Sequence, residues 1–163
     1  MGVYIGSNKV DTAGLNSNLI YDHTLEDSFV LRTITNYENS NMTTIRPYAF
    51  AYCTSLTTAS FPNVTNIESF AFAQCTSLTT ISFPNVTSIG NYEFAYCYNL
   101  ISLNLAGISG VPTLGSSVFW STPIGGYSTL SGQYGSVYVP SSLYNSFLTA
   151  ANWSNIATRI ISV

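Results

Sequence analysis

The feature that most constrains this chain is a register that returns every 22 residues without a gap, visible as the spans Ile45–Asn66 (IRPYAFAYCTSLTTASFPNVTN), Ile67–Ser88 (IESFAFAQCTSLTTISFPNVTS) and Ile89–Gly110 (IGNYEFAYCYNLISLNLAGISG). A fixed period of this length marks a stack of similar coils. Ile45, Ile67 and Ile89 open the copies; Phe50, Phe72 and Phe94, then Cys53, Cys75 and Cys97, then Leu56, Leu78 and Leu100 recur at equivalent places. One such unit cannot bury its own apolar side, so the copies must stack with parallel strands about 4.8 Å apart around a narrow continuous core.

Within each copy, Leu56–Phe61 (LTTASF), Leu78–Phe83 (LTTISF) and Leu100–Leu105 (LISLNL) read as short strands, because Thr and β-branched residues favour extended backbone. Side chains alternate along a strand, so Ala59, Ile81 and Leu103, with Phe61, Phe83 and Leu105, point inward. Thr58, Thr80 and Ser102, with Ser60, Ser82 and Asn104, point outward. Pro62 and Pro84 end the pairing, having no N–H to donate. Phe70, Phe72 and Cys75, separated by alanines, suit a brief helical or irregular turn leading to the next strand.

The ends of such a stack expose apolar rungs and strand edges, so divergent caps are expected. Residues 25–44 carry a degenerate unit with strand-like Val30–Thr35 and form the expected N-terminal cap. Residues 45–110 are three repeats, and residues 111–163 a degenerate repeat, a loop and a C-terminal cap. In that last part Leu114–Phe119 matches the opening of a repeat and Ser136–Pro140 the strand with its proline. From Ser141 to Trp153, Leu143, Tyr144, Phe147, Leu148 and Ala151 fall three or four apart, which predicts an amphipathic helix begun by Pro140 and a Ser cap and closing the C-terminal end. The fold class expected is therefore a mostly β repeat solenoid with short helical turns and a C-terminal capping helix.

The units resemble the BspA-type leucine-rich repeat, which joins an Ile-Gly-x-x-Ala-Phe opening to a Cys-x-x-Leu strand entry and a following Pro. The closing segment GSVYVPSSLYNSFLTAANWSNIATRI resembles the segment found after such repeats in proteins of gut Firmicutes and their bacteriophages, and LEDSFVLRTITNYENSNMTTI resembles the segment before them. The resemblance covers about residues 25–163. Arg46 and Glu68 occupy the place of the glycine that Gly90 keeps. Members of the family serve as cell-surface adhesins, host-binding proteins and virion-associated proteins, so the resemblance implies binding by a rigid scaffold and no catalysis.

Composition narrows the function classes. Four Lys and Arg against seven Asp and Glu give a net charge of −3, so no basic field exists to neutralise phosphates and nucleic acid is not expected as a partner. No stretch approaches the roughly 20 apolar residues that span a bilayer, and Met1–Val10 lacks a basic flank followed by an apolar run, so neither membrane insertion nor a signal peptide is expected. Only 7% of residues are charged. Ser, Thr and Asn, roughly a third of the chain, take over the polar surface.

Catalytic constellations are absent from the pattern. The single histidine is His23, and beyond Phe94 the only ionisable acid or base of consequence is Arg159. No nucleophile elbow, paired-histidine zinc motif or phosphate-binding glycine loop occurs. The one polar cluster, Tyr21, Asp22, His23, Glu26 and Asp27, fits no metal-ligand spacing and reads as an exposed cap. Stacking puts Cys53, Cys75 and Cys97 in one column with parallel side chains, which suits buried thiols and neither a disulfide nor a metal site. No cofactor is expected.

Three surfaces are candidates for binding. The outward columns Thr58, Thr80, Ser102 and Ser60, Ser82, Asn104 form a flat, uncharged face of hydrogen-bonding groups. The loop Ile124–Gly135 breaks the period and presents Tyr127, Gln133 and Tyr134 among Ser and Gly, a composition like that of antibody paratopes. Tyr48, Tyr52, Tyr92, Tyr96 and Tyr98 add an aromatic surface on the turns. The expected role is a non-enzymatic structural and binding module on a phage particle, as a capsid decoration, fibre or tail protein docked through residues 1–24 to virion structural proteins. The alternative is a bacterial cell-surface adhesin or lectin-like module. A protein or glycan surface is the expected ligand, and a homo-oligomer is open.

Overall fold

The computed structural model describes residues 3–5, 8–10, 34–129 and 131–163. At the N-terminus β1 (Val3–Ile5) and β2 (Asn8–Val10) pair antiparallel. Every later strand pairing among the described residues is parallel. β3 (Asn36–Glu38), β5 (Thr58–Ser60), β7 (Thr80–Ser82), β9 (Ser102–Asn104), β11 (Ser136–Val139) and β12 (Ile160–Ser162) make a six-stranded sheet in that spatial order. β4 (Thr44–Ile45), β6 (Asn66–Ile67), β8 (Ser88–Ile89) and β10 (Thr113–Leu114) make a second, four-stranded sheet. Each coil thus has a strand in the wide sheet, a corner, a two-residue strand in the narrow sheet and a turn back.

Pairing follows the sequence register: Thr58 lies beside Thr80 and Thr80 beside Ser102, with Ala59, Ile81 and Leu103 in one inward column. Phe50, Phe72, Phe94 and Phe119 form a single file of stacked rings with centroids 4.9, 5.8 and 5.9 Å apart. Phe61 and Phe83 make a second stack at 5.4 Å and meet the first edge-on. Offset or edge-on rings and aliphatic columns fill the space between the sheets at interior density. The third coil is longer, and its extra length lies between β9 and β10, so that β10 pairs with β8 at a spacing of 25 residues and the offset persists into the turn, where Asn91 accepts from the backbone N–H of Ser116.

The abundance of Thr and Asn has a structural cause beyond solubility. Thr57 and Thr79 donate their hydroxyls to the carbonyls of Thr35 and Thr57, at 2.7 and 3.0 Å. At the opposite corner Thr65 and Thr87 donate to Thr43 and Thr65. Asn63, Asn85 and Asn99 donate their amides to Ser40, Pro62 and Thr76 of the preceding coil, at 2.6, 2.7 and 2.8 Å. These ladders tie each coil to the one before it through backbone carbonyls where the sheets stop, mostly at solvent-exposed corners.

The caps differ from the expectation in three respects. The N-terminal strand is Asn36–Glu38: residues 30–33 of the expected strand lie outside the described residues, and Ile34 and Thr35 precede the strand. The Ser141–Trp153 helix is broken into a 3-10 turn at Ser141–Leu143, a six-residue α-helix at Tyr144–Thr149 and a 3-10 stretch at Trp153–Arg159. Ser141 caps nothing; its hydroxyl donates to the Val163 carbonyl at 2.8 Å. Asn152, at φ 63°, swings the chain so that Trp153 turns into the core while Ala151 faces solvent. Closure is shared: the helices cover the narrow sheet, and β12 covers β11. Trp153 packs on Phe147 and Phe119 and donates its indole N–H to Pro112, and Asn152 donates to Leu114 at the open edge of β10. Among the described residues no helix is long and apolar enough to cross a membrane.

Candidate functional site

The six sheet residues expected to form a face do share one. Asn36, Thr58, Thr80, Ser102 and Ser136 run across it in one row, and Glu38, Ser60, Ser82, Asn104 and Tyr138 in the next. The face is ordered by its own bonds at one end, where Thr58 donates to the Asn36 side chain at 2.6 Å. Tyr138 and the exposed Ile161 give the other end an apolar corner.

The loop before β11 is self-supporting. Thr129 N–H donates to the Gln133 carbonyl, Gln133 N–H to the Thr129 hydroxyl, and Gly132 to Thr129, with Gly126 and Gly132 taking the positive φ that their positions demand. Tyr127, Gln133 and Tyr134 are exposed on it. Arg159 lies over the Tyr134 ring at 4.2 Å, a cation–π contact that fixes one tyrosine of the loop to the C-terminal cap.

The turn edge carries a pattern that the sequence reading saw only in part. In each coil, residue 48, 70, 92 or 117 and residue 52, 74, 96 or 121 has positive φ, between 53° and 63°. Tyr48 and each of residues 52, 74, 96 and 121 sit third in a hydrogen-bonded turn, as in Ala49 N–H to Arg46 and Cys53 N–H to Phe50, a place where glycine or asparagine is the unstrained choice, whereas after Phe70 the Ala71 N–H turns to the Glu93 carboxyl. Tyr48, Phe70 and Tyr92 occupy the first column and stack in parallel, with centroids 5.1 Å apart and planes 6° apart at both steps. Tyr52, Gln74 and Tyr96 occupy the second, and Tyr98 meets Tyr96 edge-on. Ala51, Ala73 and Ala95 lie between the columns in sequence, and half-exposed Trp120 succeeds them in the longer coil. Comparing copies position by position would have found Phe70 and Gln74; the backbone conformation has no signature in these residue types.

The interior holds two perturbed groups. Cys75 and Cys97 donate weakly from Sγ to the carbonyls of Phe50 and Phe72, and burial pushes the Cys75 thiol well above its ordinary value. None of the three cysteines is disulfide-bonded. Glu93 stands in the column of Ala49 and Ala71, fully buried. Its Oε2 accepts from the Ala71 N–H at 3.2 Å, and Oε1 has no partner among the described residues. Burial drives its carboxyl well above the usual range, against the lowering effect of the Ala71 and Phe72 N–H groups. Among the described residues no group of three His, Cys, Asp or Glu could hold a metal ion. The Tyr21–Asp27 cluster lies outside them.

Stacked parallel coils, an inward Leu/Ile/Phe ladder and a strand-to-turn unit that recurs every 22 residues in the central coils define a leucine-rich-repeat solenoid. Residues 18–133 match the model of the BspA type leucine rich repeat region (6 copies), and the chain belongs to that family. No curated protein matches the chain.

Proposed function

We propose that this protein is a non-enzymatic adhesion module that presents rigid, uncharged, tyrosine-rich surfaces to a ligand outside the cell. The observation that carries the reading is a set of large aromatic side chains, Tyr48, Tyr52, Tyr92, Tyr96, Tyr98, Trp120, Tyr127 and Tyr134, exposed by 38% to 54% on a backbone held by coil-to-coil ladders. Aromatic area on a preorganised frame contributes binding energy with little ordering cost. The hydroxyl face of Thr58, Thr80, Ser102, Ser60, Ser82 and Asn104 and the loop residues Tyr127, Gln133 and Tyr134 are the accompanying contact surfaces.

The setting proposed is a phage virion, as a capsid decoration, fibre or tail component docked through residues 1–24, because the closing segment resembles that of phage-borne repeats. The same resemblance extends to bacterial proteins, so a cell-surface adhesin or lectin-like module is the second reading. Antibody labelling in native material separates them, by decorating particles in one case and the cell envelope in the other. Replacing Tyr127 and Tyr134 together with Ala should weaken partner capture while leaving the melting temperature in place. Unaltered capture removes the loop from the site.

A further inference from the structure

We propose that the turn edge of the solenoid is a binding track for a linear, uncharged polysaccharide, running along the stacking axis between the Tyr48–Phe70–Tyr92 column and the Tyr52–Gln74–Tyr96 column. The inference rests on the adhesion reading and names its ligand.

The first support is strain. Bulky residues at positive φ cost energy that glycine would not, and here six successive turn positions, at φ 61°, 63° and 53° in one column and 63°, 62° and 63° in the other, hold five aromatic residues and a glutamine. The hydrophobic core does not demand the tyrosines, since Tyr48, Tyr52, Tyr92 and Tyr96 are all exposed; what packing the first column has is with its own members. The second is rigidity. Parallel stacking at 5.1 Å fixes the first column before any ligand arrives, so little side-chain entropy is lost on contact.

The third support is chemistry. Stacked rings bury their faces on one another and offer their edges and the phenolic hydroxyls of Tyr48 and Tyr92; Gln74 adds an amide in the second column. Among the described residues, charge on this edge is confined to Arg46 and Glu68 in the first two coils, and Glu93 is buried. Among the described residues an anionic polymer finds no row of cations on this edge, whereas sugar hydroxyls find donors and acceptors and sugar oxygens find the C–H edges of the rings. Period supplies the fourth. Coils advance about 4.8 Å each, close to the step of one pyranose in an extended chain, so successive sugars meet equivalent side chains. Trp120 stands where the alanine series ends and marks the C-terminal limit of the track.

The test is affinity electrophoresis and calorimetry of the full chain with hydroxyethylcellulose and galactomannan as neutral polymers and polygalacturonate as an anionic one, each at low and high salt. Retention by a neutral polymer that is indifferent to salt is the expected result. The Tyr52→Gly/Tyr96→Gly variant relieves strain and so keeps its fold, yet should bind at least about tenfold more weakly. Tyr92→Phe, which keeps the stack and removes one hydroxyl, should weaken binding about fivefold. The proposal is overturned if neither neutral polymer binds, if only polygalacturonate binds and salt abolishes it, or if both variants bind like the parent. Self-association in sedimentation that vanishes in the glycine variant also overturns it, assigning the edge to a second copy. Adhesion to particles or cells that persists without glycan binding leaves the adhesion reading standing and removes this one.

Discussion

Two side chains show how a residue is judged by its column more than by its neighbours in sequence. Phe72 has no exposed surface and is stacked between Phe50 and Phe94, so it belongs to a file that no other residue can refill. Phe72→Ala should cost about 3 to 5 kcal/mol, measured by chemical denaturation; a loss below about 1 kcal/mol would contradict the packed file. Glu93 is the opposite case, a carboxyl where the column has alanine. Its folded-state affinity for a proton is raised, so below the ordinary glutamate range both folded and unfolded chains are protonated and burial is harmless. As pH rises the unfolded chain releases a proton that the folded one keeps, and stability falls by up to about 1.4 kcal/mol per pH unit until the folded pKa is reached. Glu93→Gln should therefore flatten the decline that sets in as pH rises above the ordinary glutamate range. Parallel pH profiles for parent and variant would show that the carboxyl is not held neutral.

Elements defined by the period were legible, and those defined by contact alone were not. β5, β7 and β9 fall inside the spans set by Leu56, Leu78 and Leu100, since alternation and the terminal proline fix both face and end. The same register places a strand at Asn36–Glu38, where it pairs with β5, although the β-branched run that ends at Thr35 draws the eye first in the sequence. The strands of the narrow sheet, only two residues long in TI, NI, SI and TL, exist because neighbouring coils pair there, which no single segment announces. The surface followed suit: the exposed tyrosines were readable from the repeat, but their left-handed backbone was not. At the C-terminus, helical spacing in residues 141–153 was overridden by extended backbone at Ala150 and the positive φ of Asn152, which together deliver Trp153 to Pro112. Trp153→Phe removes that 2.8 Å hydrogen bond and leaves a buried carbonyl unpaired, so it should cost about 1 to 3 kcal/mol although the ring remains; equal melting curves would mean that the indole N–H is immaterial.

A solenoid transmits stability only between adjacent coils, so where a defect lies should matter as much as how large it is. Phe72 sits mid-stack, with a ring on each side, and its loss uncouples the first coils from the last. Trp153 sits at the end, against Phe147 and Phe119, and its loss uncovers one terminal coil while the files from Phe50 to Phe94 stay closed. Trp153→Ala and Phe72→Ala remove comparable apolar bulk, so in a globule with one shared core they would unfold alike. In a stack they separate. Hydrogen exchange followed by mass spectrometry should show Trp153→Ala accelerating exchange in residues 136–162 with β5, β7 and β9 still protected, whereas Phe72→Ala should accelerate it in all three. Identical exchange maps for the two variants would mean that the coils cooperate globally, and then a ligand bound along the turn edge would have no coil-by-coil stability to reinforce.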